Sequence, residues 1–282
     1  MSNRLVLFVA LLSISVTLWS GIDARSWHSV GQPILPDSGG DPGRAFLPLL
    51  LRSASPASAP RTISHSQSQV IAAGNSIACH VSFRHTDNAY LREFALTDFA
   101  ITGAFQVQQV EFGVERAVAG SGASQPGQVR LYRKIDPTSP LTYANLTLLA
   151  AVDIAIPDMA LGRYTAPIAG TAPAGSVLVV EVFTPDGRPD GHSFYIGSNA
   201  QGQSGATYIA AAVCGAPEPT TSAVLGYPNM HAVMNVTGIV TGAAAGSVSQ
   251  GTPAAQPPIR LSSESGSSSG RFSTYGDKPY PN

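Results

Sequence analysis

Charge is scarce in this chain. Asp, Glu, Lys and Arg make up 12% of its 282 residues, and 16 basic against 17 acidic side chains leave a net charge of -1. A near-neutral chain lacks the electrostatic footprint that tracks phosphates, so nucleic acid is set aside as a partner. Tryptophan occurs only at Trp19 and Trp27, before the patterned part of the sequence begins. Its absence from that part argues against a flat polysaccharide platform of exposed indoles, but leaves room for a small glycan pocket among the tyrosines. Catalytic signatures are missing too: there is no H-E-x-x-H, no phosphate loop and no EF-hand pattern. Gly266-Ser-Ser-Ser-Gly270 has the spacing of a nucleophile elbow but not its strand-then-helix setting. The chain is therefore read as no enzyme, with a secreted hydrolase as the third alternative.

Cysteine is the other rarity, and its meaning depends on compartment. Arg4, the apolar run Leu5 to Trp19 and a small residue at Ala24 read as a secretory signal over residues 1–24. That run is shorter than the roughly 20 residues of a membrane-spanning helix. An uncleaved N-terminal anchor is the alternative reading, and no later stretch is long enough to span a bilayer. Outside the cytoplasm two thiols in one domain pair, so Cys79 and Cys214 are expected to form a disulfide. Two separate buried thiols are the alternative.

Residues 25–68 are rich in Pro, Ser and Ala and read as a linker, interrupted by an apolar stretch at 45–52 in which Pro48 argues against a helix. Residues 69–241 carry nine short runs of apolar alternation, separated by turn residues such as Gln125-Pro-Gly127, Asp136-Pro137 and Pro185-Asp-Gly187. This spacing predicts an all-β, antiparallel, jelly-roll-like sandwich rather than alternating βαβ units. Within Phe105 to Val114, Val107 stands out of phase with Val110, Phe112 and Val114, a slip that suits a bulge near Gln108-Gln109. Ser176 to Phe183 is apolar on both faces until Glu181, the pattern of a central strand. Leu96 to Ile101 breaks the strand pattern, and Thr97 is placed to cap one helical turn. Residues 242–282 lose the pattern and read as a disordered low-complexity tail.

His85, Asp87 and Asn88, with Asp186 and Asp190 in a second polar loop, are candidates for a ligand or calcium loop. Asp87 and Asn88 are too few for the six to eight oxygens calcium takes, and Asx residues also fold loops through their own backbone bonds. No metal and no cofactor is assigned, calcium being the one ion considered. His80 follows Cys79, and His231 lies in a strand after Cys214, so the expected disulfide would let the two approach as a polar cluster. Such a pair could bind a transition metal or exchange protons; hydrogen-bonded structural histidines are the plainer reading.

One series of short segments has a familiar order: His85-Thr-Asp-Asn88, Phe112-Gly-Val-Glu115, Gln128-Val-Arg-Leu-Tyr132, Ala174-Gly-Ser-Val-Leu-Val-Val-Glu-Val182, Ile196-Gly-Ser-Asn199, Cys214-Gly215, Gly226-Tyr-Pro-Asn-Met-His231 and Met234-Asn-Val-Thr-Gly238. It resembles an uncharacterised β-sandwich accessory module of secreted bacterial proteins, over about Ile71 to Val240. The resemblance implies a fold and a location, and no catalytic residue. Asn229 stands where that module is expected to carry aspartate, which weakens a metal reading of that corner. The expected function is a non-catalytic extracellular binding or adhesion module, secreted or at the cell surface. Its expected partner is a surface glycan or another surface protein. A structural or assembly protein of the bacterial cell surface is the alternative.

Overall fold

The computed structural model describes residues 59–242 and 270–275. The signal segment, the linker up to residue 58, the apolar stretch at 45–52, the serines of the elbow-like motif and most of the tail lie outside the described residues. The first eight strands are β1 (Arg61–Ser64), β2 (Ile77–Val81), β3 (Arg84–His85), β4 (Asn88–Ala95), β5 (Ala104–Val118), β6 (Ser124–Lys134), β7 (Leu146–Pro157) and β8 (Met159–Ala172). They are followed by β9 (Val177–Thr184), β10 (Ser193–Ile196), β11 (Ser198–Asn199), β12 (Tyr208–Ala211), β13 (Ala216–Thr221), β14 (His231–Ala232), β15 (Met234–Thr241) and β16 (Arg271–Thr274). Every strand pairing is antiparallel.

Two sheets face each other across one core, as the all-β sandwich reading requires. One has the order β13-β12-β4-β9-β6-β7. In the other, β1-β15-β5 is flanked by β8 along the far edge of β5, and β10 takes over from β15 beyond Phe112. Tyr90, Phe94, Val129, Leu131, Val180 and Val182 of the first sheet meet Val110, Phe112, Val114, Phe194, Met234 and Val236 of the second. The phase slip in β5 is a bulge at Gln108, which neither neighbouring strand takes into register. The extra residue returns Val107 to the same core as Val110 and Phe112. β9 is central, between β4 and β6, with both faces buried.

Four details depart from the sequence pattern. Gln125-Pro-Gly127, read as a turn, lies inside β6 and pairs with β7. The helical turn forms as a 3-10 turn over Leu96–Phe99, but Thr97 lies inside it and Ala95 stands at the cap without a side-chain bond. β1, in the segment read as linker, pairs with β15. β16, in the segment read as disordered tail, pairs with β2 and packs Phe272 against the core. Both are edge strands of four residues, too short for alternation to show.

Arg92 is the least expected member of the interior. It lies on the inward side of β4, between Tyr90 and Phe94, with no exposed surface. Its guanidinium donates to the carbonyls of Gly205 and Ala232 and to Oε1 of Gln203, tying the loop before β12 to β14. Burial lowers its pKa to about 9. Arg92→Met is expected to orphan those buried acceptors and lower stability by about 3 kcal/mol. That is a fall of roughly 9 °C in the thermal midpoint of a domain this size. A midpoint that does not move would show that these bonds contribute little to stability.

Candidate functional site

The alternation that turns Val129 and Leu131 inward turns Gln128, Arg130, Tyr132 and Lys134 to the outer face of the six-stranded sheet. Glu181 and Phe183 of β9 share that face. The loop of residues 135–145 covers one half of it: Leu141 and Tyr143 pack with Leu91, Tyr132 and Val179 into a second, smaller core. The other half stays open as a depression of about 360 Å³, lined by Pro126, Gln128, Arg130, Asp153, Phe183 and Pro185 among others.

Glu181 organises this face. Its carboxylate is fully buried, lies directly across from Arg130 in the strand register and accepts from Arg130 Nη1. The hydroxyls of Tyr132 and Tyr143 turn toward the same carboxylate. Arg130 Nε donates to Oε1 of Gln128, and Gln128 Nε2 donates to Oδ1 of Asp153 at 2.6 Å. The Arg130 guanidinium also sits 4.4 Å over the Phe183 ring. Burial pushes the Glu181 carboxyl up against the pull of Arg130, and burial raises the Tyr132 hydroxyl as well. The outcome is a row of planar polar groups, fixed in orientation across β7, β6 and β9, beside an aromatic face. The Asp153 carboxylate is exposed at the end of this row.

The residues singled out from sequence lie elsewhere. Cys79 and Cys214 are bonded. Asn88 turns its amide to the backbone: Oδ1 accepts from Cys79 N, and Nδ2 donates to the carbonyls of Cys79 and Thr86. It straps β2 to β4 and offers no free oxygen to a cation. Asp87 is buried beside it. Asp186 is held through both oxygens by Arg188, and Asp190 is exposed, 3.9 Å from His192 Nε2. His85 does meet this second loop, its carbonyl accepting from Gly187 N, so His85, Asp186 and His192 converge. The described residues nevertheless gather no group of three or more His, Cys, Asp or Glu able to hold a metal ion.

The two histidines of the expected polar cluster lie in different strand pairs. His80 faces His85 across the β2–β3 pair, with Nδ1 3.2 Å from the Tyr195 hydroxyl. His231 lies on β14 opposite Asn199, with Arg92 the charge that acts on it. The disulfide enters a 3-10 turn at Ala212–Cys214, from which the chain leaves along β13 before it returns at His231. The tyrosines are mostly structural. Tyr90, Tyr164 and Tyr227 give their hydroxyls to backbone carbonyls, and Tyr208 gives its own to Glu93. The aromatic at the depression is Phe183. A signal for this site was present in the sequence: a lone glutamate in an apolar central strand needs a cation on a neighbouring strand, and that cation marks the face.

No protein-family profile matches the chain, and no curated protein matches it in sequence. Among solved structures, the cysteine protease and lectin-like domains of Cwp84, a surface layer associated protein of Clostridium difficile, align over 56% of this chain at 11% identity and a TM-score of 0.39. The clostridial Cwp84 protease after propeptide cleavage aligns over 64% of it at 12% identity and a TM-score of 0.41. This chain spans 33% and 40% of those two chains.

Proposed function

We infer that this protein is a non-catalytic extracellular binding module that holds a neutral glycan in the depression between β6, β7 and β9. The observation that supports the reading is the row of Asp153, Gln128 and Arg130 fixed beside the Phe183 ring. A sugar presents donors and acceptors around its rim and an apolar face across its ring. Planar polar side chains next to an aromatic answer both. Because Glu181 holds the row in place, little side-chain freedom is lost when a ligand arrives. Charge then selects: Arg130 is already paired with Glu181, so the remaining carboxylate of Asp153 disfavours acidic sugars. The disulfide fits an oxidising compartment, at the cell surface or beyond it.

Binding of the full chain to a panel of neutral and acidic glycans tests this. Saturable binding to a neutral glycan is expected, weakened about tenfold or more, or about 1.4 kcal/mol, by Phe183→Ala or Asp153→Ala. Chelation of calcium is expected to leave it unchanged. A blank panel from folded protein, or binding that both substitutions leave intact, would sink the reading. Arg130→Ala is a different experiment: it leaves Glu181 buried without its cation, and a stability loss of about 3 kcal/mol is expected in denaturant titration. Replacing both by apolar residues of similar volume is expected to recover most of that loss.

A further inference from the structure

We propose that the edge of β2 is a strand-acceptor site that a second copy of this chain fills with its own residues 270–275. The inference goes beyond the glycan reading and does not depend on it. In the structure the site is occupied by β16, with Arg271 across from His80, Phe272 from Cys79, Ser273 from Ala78 and Thr274 from Ile77. The site reads side chains as well as backbone. A Cβ at Gly270 would lie 3.1 Å from each disulfide sulfur and 2.8 Å from a Val213 methyl, so a side chain there would crowd the bond and displace Val213. Phe272 packs on the core, and its carbonyl accepts from the Tyr227 hydroxyl. Tyr275 meets the edge of Tyr195 at 5.5 Å between ring centres, with the Arg116 guanidinium 4.6 Å over its own ring.

All of these partners belong to β2, Arg116, Tyr195, the 3-10 turn at Cys214, and Tyr227. The strand it pairs with is β2, not β15, the last strand before β16 in the chain. Residues 243–269 separate the two strands in sequence, so exchange between copies preserves the contacts named above, which is the condition for strand swapping. The strand's own copy is favoured by effective concentration, which falls as the connection lengthens, so a second copy competes once copies are concentrated. The edge also demands an occupant. Among the described residues β2 pairs on its other side only with the two residues of β3, and an uncovered edge strand seeks a partner.

Light scattering on the full chain from micromolar to millimolar concentration tests the proposal, together with a labelled synthetic peptide of residues 270–275. Wild type is expected to form dimers as concentration rises, and excess peptide to disperse them. The Phe272→Ala chain is expected to stay monomeric and, with its own strand weakened, to capture the labelled peptide about tenfold better than wild type. A peptide carrying Gly270→Val is expected not to bind. Wild type that stays monomeric throughout overturns the proposal. So do dimers indifferent to both Phe272→Ala and peptide. A Phe272→Ala chain that keeps its disulfide and cooperative unfolding yet captures no peptide overturns it equally.

Discussion

Loss of the Cys79–Cys214 bond is expected to lower the stability of the folded unit by about 5 kcal/mol. The bond joins residues separated by 135 positions, from β2 near the start of the unit to the turn between β12 and β13. In the chain-entropy account, a loop of that length removes about as much freedom from the unfolded chain as a single cross-link in a domain can. Its second effect is local, since Gly270 packs on the sulfurs and β16 lies along the strand that carries Cys79. Cys79 has no exposed surface while Cys214 is half-buried, so reductant is expected to attack from the Cys214 side. The paired substitution Cys79→Ala with Cys214→Ala is the equilibrium probe. A fall of roughly 10–20 °C in thermal midpoint is expected. A fall under about 5 °C would mean that the unfolded chain keeps these segments together without the bond.

Periodicity made the long strands legible and hid what depends on register. The alternation of β5 located its bulge because a slip of one residue moves a whole apolar set to the wrong face. β1 and β16 escaped because Ile63 and Phe272 are single anchors in four-residue strands, and one apolar residue has no period. The depression was out of reach for a subtler reason. Asp153 stands opposite Gln128 only because the β6–β7 pairing slips by one residue between Leu131 and Tyr132. Without that slip Gln128 would face Val152, and Asp153 would lie out of line with the row. The slip also sends Ile154 and Ile156 toward the core side, so packing of the interior and assembly of the polar row are one event. His80 and His231 were placed together on the disulfide alone, and they lie in different strand pairs, β2–β3 and β11–β14. A disulfide fixes its two cysteines, while the path of the chain beyond them is set by turns whose direction the sequence does not display.

Acidification from about pH 7 toward pH 4 is expected to destabilise the fold through His80 and His85, by about 3 kcal/mol for each ring at full protonation. Both are buried, and burial lowers each to about 4; Arg271 adds to the effect at His80, and the charge of His80 adds to it at His85. Geometry gives the same answer, because Nε2 of His80 and Nδ1 of His85 have no hydrogen-bond partner among the described residues, and an imidazolium needs an acceptor for both nitrogens. The folded values lie below the ordinary 6.5, so the stability these rings supply is complete above pH 6.5 and is lost as pH falls through about 4. Glu115 and Glu181 work the other way. Burial raises both, so they recover stability as pH falls from their folded values toward 4.5 and offset part of the loss. Denaturant midpoints at about pH 7 and about pH 4.5 are expected to differ much less in a His80→Asn, His85→Asn chain than in wild type. Equal differences would mean that the imidazoles are not the sensor. The element expected to release first is β16, because a charge on His80 appears directly across from Arg271. Amide exchange at Arg271–Thr274 is therefore expected to accelerate at acid pH before that of β4 or β9, which hold the centre of the larger sheet.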